Sequence, residues 1–219
     1  RAKGARVVMG GPHPSLLPEE CLAHADAVVV GEAEYVWEEI LADAPRGGLK
    51  EIYKSDRPTE MKDVPLPRRE LLNDNGWMAC VQATRGCPNK CLYCYLPEVP
   101  WHAYRKRDID SVYNEIKAIR QQVVFFVDDN LFADPAYAMA LFDRLAPLKK
   151  LYSMQTPTTI AKNPAMVEKM AKAGCFHVQM GFQTSNPDSL KWAGIDHNHI
   201  DDYKKTVALL HRYKILVTG

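Results

Sequence analysis

The chain has 219 residues and a formal net charge of +1, with 47% hydrophobic and 25% charged residues. That is the composition of an ordinary globular protein, long enough for one large domain or a domain and a half. A charge so close to zero supplies no field for nucleic acid or an anionic membrane surface, and no apolar run approaches the roughly 18 residues a membrane span requires.

The chain begins with Arg1 rather than Met and runs almost at once into a strand-like segment, Arg6-Val7-Val8-Met9. It therefore reads as a piece of a longer polypeptide. Gly10-Gly11-Pro12-His13-Pro14 can neither continue that strand nor start a regular helix at once. Pro18 to Leu22 predicts a short helix, with proline in its first turn and Glu19 and Glu20 near its positive end. Ala27 to Val30 predicts a buried parallel strand ended by Gly31. Val36, Trp37, Ile40 and Leu41 give a helix from Glu34 to Leu41 one apolar face. Residues 1–45 thus predict part of an α/β domain. Residues 46–76, rich in glycine and proline, read as a linker with a short strand at Glu51 to Tyr53.

From residue 77 to 219 a strand–helix rhythm takes over. Strands are expected at Met78 to Thr84, Val123 to Val127, Leu151 to Gln155, His177 to Phe182 and Ile215 to Thr218. The helices between them are expected near Asp108 to Arg120, Pro135 to Leu145, Pro164 to Ala173 and Ile200 to Tyr213. Such a repeat builds a parallel open sheet or a barrel, with its chemistry at the carboxyl ends of the strands. The most unusual residues do follow strands: a cysteine loop after the first, Asp128-Asp129-Asn130 after the second and Gln183-Thr184-Ser185-Asn186 after the fourth.

Three of the six cysteines fall within eight residues, in Arg85-Gly86-Cys87-Pro88-Asn89-Lys90-Cys91-Leu92-Tyr93-Cys94. Clustering of this kind, with no secretion signal ahead of it, favours metal binding in a reducing compartment, the cytoplasm by default. A 4Fe–4S cubane normally takes four thiolates, so three cysteines in one loop leave one iron open. Structural zinc is the competing reading, with His102 as a fourth ligand, although zinc normally uses two paired ligand clusters. Cys80 is expected to fill a barrel interior as a small apolar residue, and Cys21 and Cys175 to be buried. Arg105-Lys106-Arg107 reads as a solvated patch, and His197 and His199 as surface residues.

Cys-x3-Cys-x2-Cys with an aromatic residue before the third cysteine, following the first strand of a βα repeat, resembles the signature of the radical S-adenosylmethionine superfamily. The resemblance implies a partial (β/α)6 TIM-like barrel. It also implies a 4Fe–4S cluster on Cys87, Cys91 and Cys94 whose open iron chelates S-adenosylmethionine. Cleavage of that cofactor would generate a 5′-deoxyadenosyl radical. By the same resemblance Asp128, Asp129 and Asn130 meet the methionine amino group, Tyr93 the adenine, and Gln183 the ribose or amino-acid moiety. Val217-Thr218-Gly219 is similar to the start of an adenine motif. Asp128-Asp129-Asn130 also reads as a strand-end turn capping the next helix. Related enzymes often carry glutamate at the position of Gln183.

Gly10-Gly11-Pro12-His13-Pro14-Ser15, with Ala25 to Glu34, resembles the second half of a flavodoxin/Rossmann-like cobalamin-binding domain. Here Gly10 and Gly11 would line the nucleotide tail, as glycines let a ligand approach the backbone closely. The implied protein is a cobalamin-associated radical enzyme, a methyltransferase or a cyclase. Its partners would be a small-molecule substrate and a reductant such as flavodoxin or ferredoxin. The alternative is an electron-transfer or structural iron–sulfur module without radical chemistry.

Overall fold

The computed structural model describes residues 4–71, 76–195 and 197–219. Arg1, which suggested the cut start, and residues 72–75 of the expected linker lie outside them. The chain forms two compact units, Arg1–Pro65 with Cys94–Ala103 and Leu66–Tyr93 with Tyr104–Gly219.

The first unit contains β1 (Val8–Met9), α1 (Pro12–Leu16), α2 (Pro18–Leu22), β2 (Ala27–Val30), α3 (Trp37–Asp43) and β3 (Ile52–Lys54). Its sheet is parallel, in the order β1-β2-β3. All four residues of β2 are buried, which is why an unbroken run of small and branched residues suits it. Val28 and Val30 pack with Cys21 on one side, and Ala27 and Val29 with Val36, Ile40 and Tyr53 on the other. Strand β3 hydrogen-bonds into this sheet, so part of the expected linker is core structure. Helix α1 starts where none was expected. Gly11, at φ 103°, turns the chain abruptly, and Pro12 occupies the first turn, where its missing N–H is not needed.

The second unit contains β4 (Met78–Val81), β5 (Thr84–Arg85), β6 (Arg105–Lys106), α4 (Ile109–Ala118), β7 (Val123–Phe126) and α5 (Pro135–Leu145). It continues through β8 (Leu151–Thr156), α6 (Pro164–Ala173), β9 (Cys175–Met180), α7 (Pro187–Trp192), α8 (Ile200–Arg212) and β10 (Leu216–Thr218). Five of its strands form a parallel sheet in the order β4-β7-β8-β9-β10, each beside its predecessor. The expected first strand is shorter: it stops at Val81, and Thr84–Arg85 pairs antiparallel with Arg105–Lys106. Helix starts are marked by capping side chains. Asp108, Asp134, Asn163 and Asn186 each accept a first-turn backbone N–H, and proline follows the last three. The last of these caps opens α7, a helix absent from the expectation.

One face of the sheet carries the core. Val81, Val124, Phe126, Tyr152, Met154, Val178 and Met180 pack there with Val112, Ile116, Leu141, Phe142, Val167, Met170 and Leu210 from the helices. Cys80 is exposed on the face of the sheet opposite this core, because its position on β4 alternates with the core residues Ala79 and Val81. One expectation fails in this unit. Arg107 is buried rather than solvated. Its guanidinium pairs with buried Glu115 at 2.6 Å and donates to the Gln82 carbonyl at 3.0 Å and the Ser111 hydroxyl at 3.0 Å. Arg69 reaches the other Glu115 oxygen at 2.7 Å. The buried carboxylate is thus matched by two cations.

Candidate functional site

The cysteine loop leaves β5 at the carboxyl end of the sheet. Cys87, Cys91 and Cys94 are partly exposed, and all six cysteines are thiols outside any disulfide. Cys94 begins the segment that clusters with the first unit, whereas Cys87 and Cys91 belong to the second. Among the described residues no three His, Cys, Asp or Glu side chains are gathered in metal-binding proximity. Tyr93, next to Cys94 in the chain, is exposed.

The Asp128-Asp129-Asn130 turn at the end of β7 underpins this loop residue by residue. Asp128 is buried. Its carboxylate accepts the Ala83 N–H at 3.1 Å, the Thr84 N–H, and the Thr84 hydroxyl at 2.6 Å. Burial in this dry site pushes its pKa up to about 6, while the hydrogen bonds from Thr84 and Ala83 pull the other way. Asp129 accepts the Gly86 N–H at 2.8 Å, and Asn130 donates from Nδ2 to the Cys87 sulfur at 3.5 Å. Asp128 is therefore spent on holding the β4–β5 connection, inside the protein and not at its surface. Of the three residues expected at a ligand, it is the one facing inward. Asn130 is the one that touches a cysteine.

Gln183 follows β9 in the left-handed region, at φ 65°, which is costly for a residue with a side chain. Its amide lies over Gly181, where an added Cβ would stand 2.3 Å from Nε2. Gly181 to Ser185 and Tyr203 line a cavity of about 460 Å³ at this strand end, and the Tyr203 hydroxyl donates to the Phe182 carbonyl at 2.7 Å. Gln183 and the cysteine loop share the carboxyl-end side of the sheet.

The second face of this sheet was missed by the sequence reading. Opposite the core, the row Cys80, Phe125, Ser153, His177 and Leu216 is in register across five strands, followed by Gln155, Gln179 and Thr218. Apart from Ser153, these side chains are half-buried or exposed. Parallel sheets normally have two apolar, covered faces, so a polar open one is unusual. His177 joins this row because the pairing slips between Tyr152 and Ser153, skipping Phe176. Cys175 consequently stays in the core, and His177 faces the other way. Its Nδ1 lies 2.7 Å from the Ser153 hydroxyl and its Nε2 3.0 Å from that of Thr218. The available signal was the alternation of Tyr152-Ser153-Met154-Gln155-Thr156, which a strand buried on both faces would not show.

In the first unit, Gly10 and Gly11 follow β1, and Gly31 follows β2 at φ 85°. Ser15 ties these ends together, donating to the Gly11 carbonyl at 2.7 Å and accepting the Gly31 N–H at 2.8 Å. Gly10 and Gly11 are exposed, and no atom lies within 4 Å of where a Cβ would sit on Gly11. Gly10 borders a cavity of about 520 Å³ with His13, Glu20 and His24. The glycine backbone is thus open to a ligand.

Comparison with known proteins places this arrangement. The family model described as the radical SAM superfamily matches residues 81–219, more than half of the chain. The whole chain is 31% identical to 51% of the bacteriochlorophyllide d C-12(1)-methyltransferase of Chlorobaculum tepidum. It is 25% identical over 97% of its length to 43% of the hopanoid C-2 methylase of Rhodopseudomonas palustris. It therefore spans about half the length of such relatives. Among solved structures, the radical S-adenosylmethionine methyltransferase TsrM from Kitasatospora setae, with a tryptophan substrate and a cofactor analogue bound, superposes with a TM-score of 0.77. That match covers 97% of this chain and 49% of TsrM at 19% identity. The cobalamin-dependent enzyme OxsB with aqua-cobalamin bound gives a TM-score of 0.73, covering 96% of this chain and 35% of OxsB at 14% identity. At these identities the likeness is one of fold.

Proposed function

We infer, from the premise that this chain belongs to the radical SAM superfamily, that it supplies the cluster- and S-adenosylmethionine-binding part of a cobalamin-associated methyltransferase. Enzymes of this superfamily use a 4Fe–4S cluster and S-adenosylmethionine. The observation that carries the reading is the cysteine loop, mounted at the carboxyl end of a parallel sheet with Asn130 aimed at the Cys87 sulfur. A cluster thiolate is stabilised by such a donor, and three cysteines outside any disulfide fit the donor set. Cys87, Cys91 and Cys94 would hold three irons and leave the fourth for the cofactor. When bound, the cluster and S-adenosylmethionine supply reductive cleavage of a carbon–sulfur bond, and with it a radical that abstracts hydrogen from substrate.

The chain's own residues orient and enclose. Asp128 and Asp129 hold the base of the cysteine loop through Ala83, Thr84 and Gly86. Tyr93 and Gln183 stand where adenine and ribose or amino-acid contacts are proposed. The strand order, each neighbour next in sequence, supports a partial barrel whose interior is the polar face carrying Ser153, His177 and Thr218. That face would receive the substrate. In the intact protein, the open glycine ends of the first unit, Gly10 and Gly11, would hold cobalamin in a flavodoxin-like domain. Methyl transfer to carbon is favoured by the relatives named methyltransferase and methylase. None of the described helices is long and apolar enough to cross a membrane, and we place the enzyme in the cytoplasm, with flavodoxin or ferredoxin as reductant.

The test is anaerobic reconstitution of the full-length protein, reduction, and assay for 5′-deoxyadenosine. Cleavage that disappears in the Cys87→Ala variant is the expected result. A clean iron–sulfur cluster without cleavage would establish an electron-transfer or structural module instead. One zinc and no iron would establish the zinc reading.

A further inference from the structure

Leu92 lies between two of the cysteines, yet its side chain is 71% exposed. The loop is not free at this point. The Leu92 N–H donates to the Ala193 carbonyl at 3.1 Å, just past the end of α7. A methyl group added to Gly194 would sit 3.7 Å from both the Leu92 side chain and the Lys90 carbonyl. This contact brings Trp192, the last residue of α7 and 78% exposed, to the same part of the surface. Lys191 precedes Trp192 in the chain, and Lys90 lies two residues before Leu92. Both are exposed, and neither forms an ion pair with the described residues.

We propose that Leu92, Trp192, Lys90 and Lys191 form the docking surface for an acidic one-electron donor protein. The proposal rests on the iron–sulfur reading above. A cluster that must be reduced for each turnover needs its donor close to the ligand loop, and Lys90 and Leu92 are part of that loop. Exposed aromatic and aliphatic side chains grouped together mark interaction sites. Electron-transfer encounters are small and transient, and use a few apolar contacts with complementary charge around them. Two lysines with no ion-pair partner among the described residues suit an acidic flavodoxin or ferredoxin. In the step itself one electron leaves the reduced donor and enters the oxidised cluster, with no bond formed or broken.

The experiment uses the reconstituted full-length protein and stopped-flow mixing with chemically reduced flavodoxin, following absorbance of both partners. The Lys90→Glu/Lys191→Glu variant should lower the second-order rate about tenfold at low salt, with the difference shrinking at high salt as screening removes the steering. Trp192→Ala should lower it severalfold, while dithionite, which needs no docking surface, should reduce every variant at the wild-type rate. Equal flavodoxin rates for wild type and all variants would overturn the proposal. If Lys90→Glu disturbs cluster loading, Lys191→Glu and Trp192→Ala, outside the cysteine loop, decide the question. A wild-type protein that takes up no cluster at all would instead sink the reading on which the proposal depends.

Discussion

At the scale of single residues, the acidic turn after β7 divides its work. Asp128 has the more consequential position, because it is a carboxylate whose burial outweighs its hydrogen bonds. Its folded pKa of about 6 lies above the ordinary 3.8, so between these values the folded state holds a proton that the unfolded state has released. Stability from this group is therefore present below pH 4 and is lost as pH rises through 6, by roughly 3 kcal/mol in all. Asp128→Asn does not titrate. The stability difference, wild type minus variant, should fall as urea titrations move from pH 4 to pH 7, and parallel profiles would refute the assignment. Asn130→Ala has a separate signature. It leaves the fold intact but removes a donor from the Cys87 sulfur, so, if that sulfur holds the proposed cluster, the reduction potential of the reconstituted protein should move to more negative values, as read by redox titration followed by electron paramagnetic resonance. From sequence, the three residues were recognisable as a group at a strand end. Their division was not, because it depends on which carboxylate the β4–β5 connection covers.

At the scale of elements, the most legible feature was the βα rhythm. Local signals and tertiary demand agree there: apolar runs of strand length alternate with helices opened by an Asx cap and a proline. The Asn163 cap accepts the Met166 N–H at 3.1 Å, and Asn163→Ala should cost about 1 kcal/mol in urea denaturation. The far end of the same helix is less forgiving. Gly174 stands at φ 109°, and a Cβ there would lie 2.2 Å from the Lys150 carbonyl oxygen, so Gly174→Ala should cost roughly 3 kcal/mol or more. A Tm unchanged by that substitution would contradict the geometry. Less legible were the short elements whose partners are distant in sequence. The β5–β6 ribbon joins residues some twenty apart, and the pairing slip in β9 is defined only against β8. The buried role of Arg107 depends on Glu115 and Arg69, which no local pattern connects. Breaking that triad with Glu115→Ala would leave two cations partly buried and should cost about 3–5 kcal/mol.

At the scale of the whole molecule, the chain is an α/β protein of two units with parallel sheets, and its cysteine motif is legible from the sequence because ligand spacing is a local property. The open polar face of the larger sheet was less so. It emerges only when alternate residues of five strands are brought into register. Metal binding supplies a global check. A cluster that binds the folded chain and not the unfolded one raises stability by mass action. Anaerobic loading with iron and sulfide should therefore raise the thermal midpoint of the wild-type protein, and a chelator should reverse the gain. A variant with Cys87, Cys91 and Cys94 all changed to alanine should show neither change, and an equal rise in that variant would place the metal elsewhere.

Asp128, Asp129 and Asn130 reach Ala83 and Thr84, then Gly86, then Cys87, so three consecutive residues of one turn engage the other segment in matching order. The two segments mesh like the teeth of a comb. A substitution removes one tooth and leaves the others engaged, whereas inserting or deleting one residue ahead of Asp128 displaces all three together. The turn should thus tolerate changes of identity far better than changes of length, and natural variation at this site should appear as substitution without indels.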